Sequence, residues 1–334
     1  MQLYYRPVLC NDPAVPTDAL RLGGEAQWFS HVEVLQRDTV PYVIRAADLP
    51  AAARDVLLAQ RSLLGQPLPR IMGIVNTTPD SFSDGGLHAA AQDAIAAGLA
   101  MAAAGAAILD IGGESTRPGA QPVEMPEEIR RTAPVIKGLR ARGYSGTISI
   151  DTRKAEVARA ALEAGADMIN DVSGFTHDPA LAGVAAQAGV PVCAMHGPVD
   201  PSVMHLDPRY DDVLLDVYDF LAARIAALEA QGIPRARITV DPGIGFAKTQ
   251  AHNLALLARI SLFHSLGVPI LLGASRKKFI GTIGGAPDPA DRLPGSIAVA
   301  LAGVAQGVQT VRVHEVAQTV QAVALWRASV SGEA

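Results

Sequence analysis

Two cysteines, Cys10 and Cys193, stand far apart in a chain of 334 residues, which excludes a disulfide framework and a cysteine-rich zinc site. Positive charge is not in excess either. The net charge is −5, so nothing in the balance asks for nucleic acid or an anionic membrane as partner. Long apolar runs are missing: stretches such as AIAAGLAMAAAGAAIL are short and alanine-rich, too weak for a membrane span. The start, MQLYYRPVLCNDPAV, has no basic segment leading into an apolar core, so no signal peptide is expected and the chain reads as cytoplasmic. Charged residues make up only 18% against 49% apolar, a ratio that excludes disorder and supports a large core.

What is present is an alternation. Short β-rich runs occur at 71–75, 108–112, 147–151, 168–172, 191–195, 238–241, 269–273 and 310–314. Alanine- and leucine-rich stretches with helical spacing lie between them, AEVARAALEAGA being one. Several end at a glycine placed to cap a helix, among them Gly105, Gly165, Gly189, Gly232 and Gly267. Alternation of this kind demands a parallel sheet covered by helices, and near-continuous apolar strands fit one buried on both faces. An open doubly wound sheet usually carries a glycine-rich nucleotide fingerprint, and neither GxGxxG nor a P-loop occurs. Eight strand–helix units therefore predict a (β/α)8 TIM barrel over residues 70–330. Residues 1–69, with WFSHVEVLQRD and AADLPAAARDVLLAQRSLLG, predict an N-terminal extension or small appended subdomain without a chemical motif.

A barrel places its site at the C-terminal ends of its strands. Those ends carry Asn76, Glu114 to Arg117, Asp151, Asn170 with Asp171, Met195 with His196, Asp241, Ser275 to Lys277, and Arg312 with His314. Each has a plain structural explanation taken singly, since Asn76 and Asp241 both precede turn-forming sequence. Their joint placement at one end of one barrel points to a site instead. Asp151, Asn170 and Asp241 offer acceptors that suit a heterocycle with an amidine-like edge. Lys277, Arg312 and His314 lie on the last two strands, where barrels often hold phosphate. Lys277 also admits a Schiff-base reading, which needs an apolar pocket or a cationic neighbour. His177, His196, His205 and His252 lack metal-ligand spacing and are expected to be structural or on the surface.

Six segments resemble the dihydropteroate synthase family in the same order: NTTPDSFSDGG, DIGGESTRPGA, SIDTRKAEVARAALEAGADMINDVSG, DPGIGFAKTQAHNLALL, LLGASRKKFIG and RVHEV. The likeness runs from about Ile71 to Trp326 and leaves residues 1–69 outside. It implies a transferase of folate biosynthesis, in which 4-aminobenzoate displaces pyrophosphate from a dihydropterin carrying a CH2–O–pyrophosphate group. By motif position Asp151, Asn170, Asp241 and Lys277 would hold the pterin, with Met195 and Phe246 lining its pocket. Thr116, Arg312 and His314 would meet the diphosphate, and Phe82, Arg117, Pro118 and Ser275 the 4-aminobenzoate. Asn76 would bind Mg2+, and the family implies a homodimer. One departure is Thr77, where an aliphatic residue is common. Rival readings are a pterin-dependent methyltransferase barrel, a non-catalytic pterin-binding paralogue and an unrelated Schiff-base barrel.

Overall fold

A computed structural model of the chain describes residues 2–23, 25–61, 69–77, 84–115, 121–197 and 208–332. The N-terminal part forms strands β1 (Tyr4–Pro7), β2 (Leu20–Arg21), β3 (Trp28–Phe29), β4 (His31–Leu35) and β5 (Tyr42–Arg45), then helix α1 (Ala51–Leu58). Strands β1, β4 and β5 pair antiparallel, as do β2 and β3. This part has its own apolar cluster, including Leu22, Phe29, Val32 and Leu57. It sits on the turns that lead into the last two barrel strands. Ser261 Oγ donates to the Pro7 carbonyl at 3.0 Å, and Arg61 donates to the His264 carbonyl at 2.8 Å. Its place is thus at the strand N-termini, away from the mouth. At its flank Arg37 pairs with Asp216 and Asp219, both at 2.7 Å.

The barrel strands are β6 (Arg70–Asn76), β7 (Ile108–Gly112), β8 (Thr147–Asp151), β9 (Met168–Asp171), β10 (Val192–Met195), β11 (Ile238–Asp241), β12 (Leu271–Leu272) and β13 (Thr310–Val313). They form one parallel sheet in the order β11-β10-β9-β8-β7-β6-β13-β12, and a parallel bridge from Val240 to Ile270 joins the ends. This closed sheet is the TIM barrel, and helices α2 (Asp84–Ala103) to α10 (Val316–Ser331) surround it. The seventh strand spans only Leu271 and Leu272, preceded by the single bridge at Ile270, and is shorter than the predicted 269–273. Pro269 has no N–H to give a ladder, and Gly273 lies where the chain turns out into the mouth.

Strand parity divides the core. Leu109, Ile148, Ile150, Ile169, Val192, Val240 and Val311 join the large cluster packed under the helices. Met72, Ile108, Met168, Cys193 and Leu271 form a separate cluster inside the barrel. Successive strand residues face opposite sides, so the positions two residues further along, Asp110, Asn170, Met195 and Gly273, stand on the inner side above that apolar plug. This alternation delivers polar groups to the mouth.

Candidate active site

Four groups meet in the barrel interior. Arg312 on β13 donates from Nε to Asp110 Oδ2 at 2.6 Å and from Nη2 to Asp151 Oδ2 at 2.7 Å. Asn170 Nδ2 donates to the same Asp110 oxygen at 3.2 Å. Asp110 is fully buried, and two carboxylates in a dry interior require a cation, which the long Arg312 side chain supplies from across the barrel. Burial, with Asp110 and Asp171 adding to it against Arg312, pushes the Asp151 carboxyl well above its ordinary range. Arg312 itself is raised by Asp110 and Asp151, although burial alone would lower it. The sequence reading assigned the acceptors to a heterocycle and Arg312 to phosphate. The structure joins them directly.

Asp241 ends β11. Burial raises its carboxyl to about 6, against the Gly243 N–H, which donates to Oδ1 at 2.7 Å, and against Lys277, Arg312 and Lys248. The neighbouring Gly273 backs onto the same groups: a Cβ there would be in ordinary van der Waals contact, 3.4 Å from Asp241 Oδ2 and 3.9 Å from Arg312 Cβ. Lys277 runs over the next loop: a Cβ on Gly245 would be 2.8 Å from its Cδ. Its Nζ sits 3.9 Å from the centre of the Phe246 ring. That arrangement holds a cation, the opposite of the apolar niche a nucleophilic amine needs.

The turn after β12 is locked from several sides. Arg276 takes a left-handed backbone (φ +59°), which is uncommon for a side chain of its size. Its N–H donates to Ser296 Oγ at 3.0 Å, its Nε to Glu315 at 2.6 Å, and its carbonyl accepts from Arg292 at 2.9 Å. Ser275 Oγ and His314 Nδ1 lie 2.9 Å apart, so the residues expected at the 4-aminobenzoate and diphosphate subsites are hydrogen-bonded to each other. On the far side, Glu114 accepts from Arg153 at 2.7 Å, Lys154 at 2.6 Å and the Val123 N–H at 2.9 Å. Burial opposes its charge, yet these donors hold it below the ordinary carboxylate range.

Asn76, Asp151, Phe246, Ser275, Lys277, Arg312 and His314 all line one cavity of about 870 Å3, a volume that suits a small organic ligand. Asn170, Met195 and Asp241 are not on its wall but nearly buried beside it, 5%, 4% and 5% exposed. Phe82, Thr116, Arg117 and Pro118 lie outside the described residues, as does His205. Asp171 spends both oxygens on the Ser173 and Phe175 N–H groups and the Ser173 hydroxyl, holding its own loop. His252 is the reciprocal partner of Thr249 in the capping box that starts helix α7 (Gln250–Ala258).

Sequence reasoning missed two buried groups. Asp110 hides inside the apolar run ILDIG, and the available signal was its parity: it lies two residues before the strand end, on the inner face. Lys248 borders the cavity, and its place within DPGIGFAKTQAHNLALL carries no local signal that its side chain is buried.

The family model described as pterin binding enzyme matches residues 72–314. The chain is 43% identical over 277 residues to dihydropteroate synthase of Escherichia coli (strain K12), covering 83% of this chain and 97% of that protein. A structure of Xanthomonas albilineans dihydropteroate synthase with 4-aminobenzoic acid superposes with a TM-score of 0.73 at 48% identity, over 78% of this chain and 93% of the other. One of the same enzyme in complex with 7,8-dihydropteroate does so with 0.70 at 43% identity and the same coverage. No helix among the described residues is long and apolar enough to cross a membrane. With this agreement of barrel, strand-end residues and sequence, the chain belongs to the pterin-binding enzyme family, within its dihydropteroate synthases.

Proposed function

We propose that the barrel mouth condenses 6-hydroxymethyl-7,8-dihydropterin pyrophosphate with 4-aminobenzoate, giving 7,8-dihydropteroate and pyrophosphate. The observation that carries this reading is the convergence of Asp151, Lys277 and Arg312 on the wall of one cavity, with Asn170 and Asp241 buried beside it. Relatives of the same fold hold 4-aminobenzoic acid and 7,8-dihydropteroate. Asp241 and Asp151 would accept from the N–H edge of the pterin, Asn170 would complement the same edge, and Phe246 and Met195 would flank the ring. Lys277, fixed over Phe246, would face the pterin as donor and cation. Arg312 and His314 would meet the diphosphate, with Thr116 beside them, and Ser275, Phe82, Arg117 and Pro118 would receive the aminobenzoate.

The bond from the pterin methylene to the diphosphate oxygen breaks, and the oxygen keeps the electron pair. The arylamine nitrogen bonds to the methylene and releases one proton. Charge builds on the leaving oxygen, so groups already in place there lower the barrier without an enzyme nucleophile. Asn76 fits Mg2+: it is exposed on the cavity wall, and among the described residues no three His, Cys, Asp or Glu are grouped to hold a metal themselves. An ion that draws most of its oxygens from the substrate diphosphate matches that donor set. When bound it neutralises the departing diphosphate. We also infer, from family resemblance, a homodimer working in the cytoplasm, which light scattering and cell fractionation would test.

The decisive assay is pyrophosphate release from the dihydropterin pyrophosphate, with Mg2+ and 4-aminobenzoate each omitted in turn. Release that needs all three, with dihydropteroate formed, supports the synthase. Pterin binding without release would leave a binding paralogue or a methyltransferase relative.

A further inference from the structure

One buried cation has no part in the roles above. Lys248 is 5% exposed and lies in the loop after β11. Its Nζ donates to the carbonyls of Gly243 and Phe246, both at 3.0 Å, and lies 2.8 Å from His196 Nδ1 and 3.4 Å from the His196 carbonyl. Three short partners match the three hydrogens of an ammonium group. Burial, and then the charge of Lys248, draws His196 down to about 2, so its imidazole stays neutral and can offer Nδ1 as an acceptor. Burial likewise draws Lys248 down to about 7, with Asp241 opposing and Lys277 assisting.

These contacts fix an awkward piece of backbone. Gly243, Gly245 and Ala247 all have positive φ, +69°, +82° and +48°, and a left-handed alanine persists only where its surroundings impose it. Tyr210 donates to the Ala247 carbonyl at 2.9 Å from the other side. Between those left-handed residues stands Phe246. Its ring packs with Val172 and Met195 and carries the Lys277 ammonium on its face. A buried charge, that of Lys248, donates to two carbonyls of this turn. Removing that charge would leave the Gly243 and Phe246 carbonyls without this donor in a site that water barely reaches, which is costly.

We infer that Lys248 is a positioning residue: by gripping the Gly243 and Phe246 carbonyls and His196, it sets the Phe246 ring beneath Lys277. The functional consequence, pre-organised pterin binding, rests on the function proposed above, so the test has one arm that does not depend on it. In protein labelled with 4-fluorophenylalanine, the Phe246 fluorine signal is assigned by its loss in F246L. K248M should shift or broaden that signal, and K248R, which keeps the charge but not the compact geometry, should do so less. An unchanged Phe246 signal in the folded variants overturns the inference, and K248R carries the test if K248M does not fold.

In the second arm, 6-hydroxymethylpterin is titrated into wild type, K248M, F246L and the double variant. Each single change should raise Kd about tenfold, and the double variant should be no worse than either, because both act through one ring. Losses that multiply would overturn action through Phe246, whereas a purely structural lysine would lower stability without such coupling. A wild type that binds no pterin would count against the proposed function, and the fluorine arm would still decide the role of Lys248.

Discussion

Replacing Asp241 with asparagine separates what the carboxylate costs the fold from what it gives the site. Burial raises the Asp241 carboxyl from 3.8 to about 6. For an acid with a raised folded pKa, folding favours the neutral form. Its contribution to stability is complete below the unfolded value and is lost as pH rises through the folded one. Above about pH 6 the ionised side chain therefore destabilises the fold by about 3 kcal/mol relative to a neutral one of the same shape, at about 1.4 kcal/mol per pKa unit. Asparagine keeps an oxygen for the Gly243 N–H, which now donates at 2.7 Å, and discards the charge. Denaturant unfolding near pH 8 should find D241N more stable by up to about 3 kcal/mol, or roughly 5 °C in Tm, with the gain fading near pH 4. Pterin affinity should move the other way. Two charge-assisted bonds at about 1.5–3 kcal/mol each put the loss at roughly 100-fold or more. A variant less stable than wild type near pH 8 would refute the burial argument, and undiminished pterin binding would refute the assignment of Asp241 to the ring.

Arg312→Ala strands the Asp110 and Asp151 carboxylates, so unfolding free energy at neutral pH should fall by about 3–5 kcal/mol, with partial recovery in acid as Asp151, already raised by burial, protonates. Its diphosphate affinity should drop far more than its affinity for the bare pterin, and equal losses in calorimetric titration would argue against the leaving-group role. Gly245→Ala places a Cβ 2.8 Å from Lys277 Cδ at φ +82°; a stability loss of about 1–2 kcal/mol is expected, together with a displaced Lys277 and a raised KM for the pterin. Arg37→Ala breaks pairs whose partners are a quarter to two-fifths exposed, so solvent screening limits the loss to about 1 kcal/mol or less. Turnover should be unchanged, and a marked fall in kcat would show that the N-terminal part acts on the mouth.

Much of this protein was legible along the chain because its signals are local. Eight apolar runs spaced by helical stretches impose a parallel, helix-covered sheet, and a residue such as Asp241 at a run's end is placed at the mouth by the barrel rule alone. The same reasoning located Asn76, Asp151 and Lys277 without knowing what they touch. Asp110 escaped it because an acid within ILDIG reads as one polar residue in a strand until closure turns that face inward. The Ser275–His314 bond spans 39 residues and the Lys248–His196 contact 52, distances over which sequence pattern carries no pairing information. The bond from Arg312 to Asp151 spans 161. Sequence by itself determined the barrel, the end at which its polar strand-end residues gather and the types of those residues, since periodicity and turn preference act between near neighbours. Only the closed tertiary structure decided which acid shares which cation and where each pKa settles, because desolvation and Coulomb energy depend on distances set when remote strands meet in one dry interior.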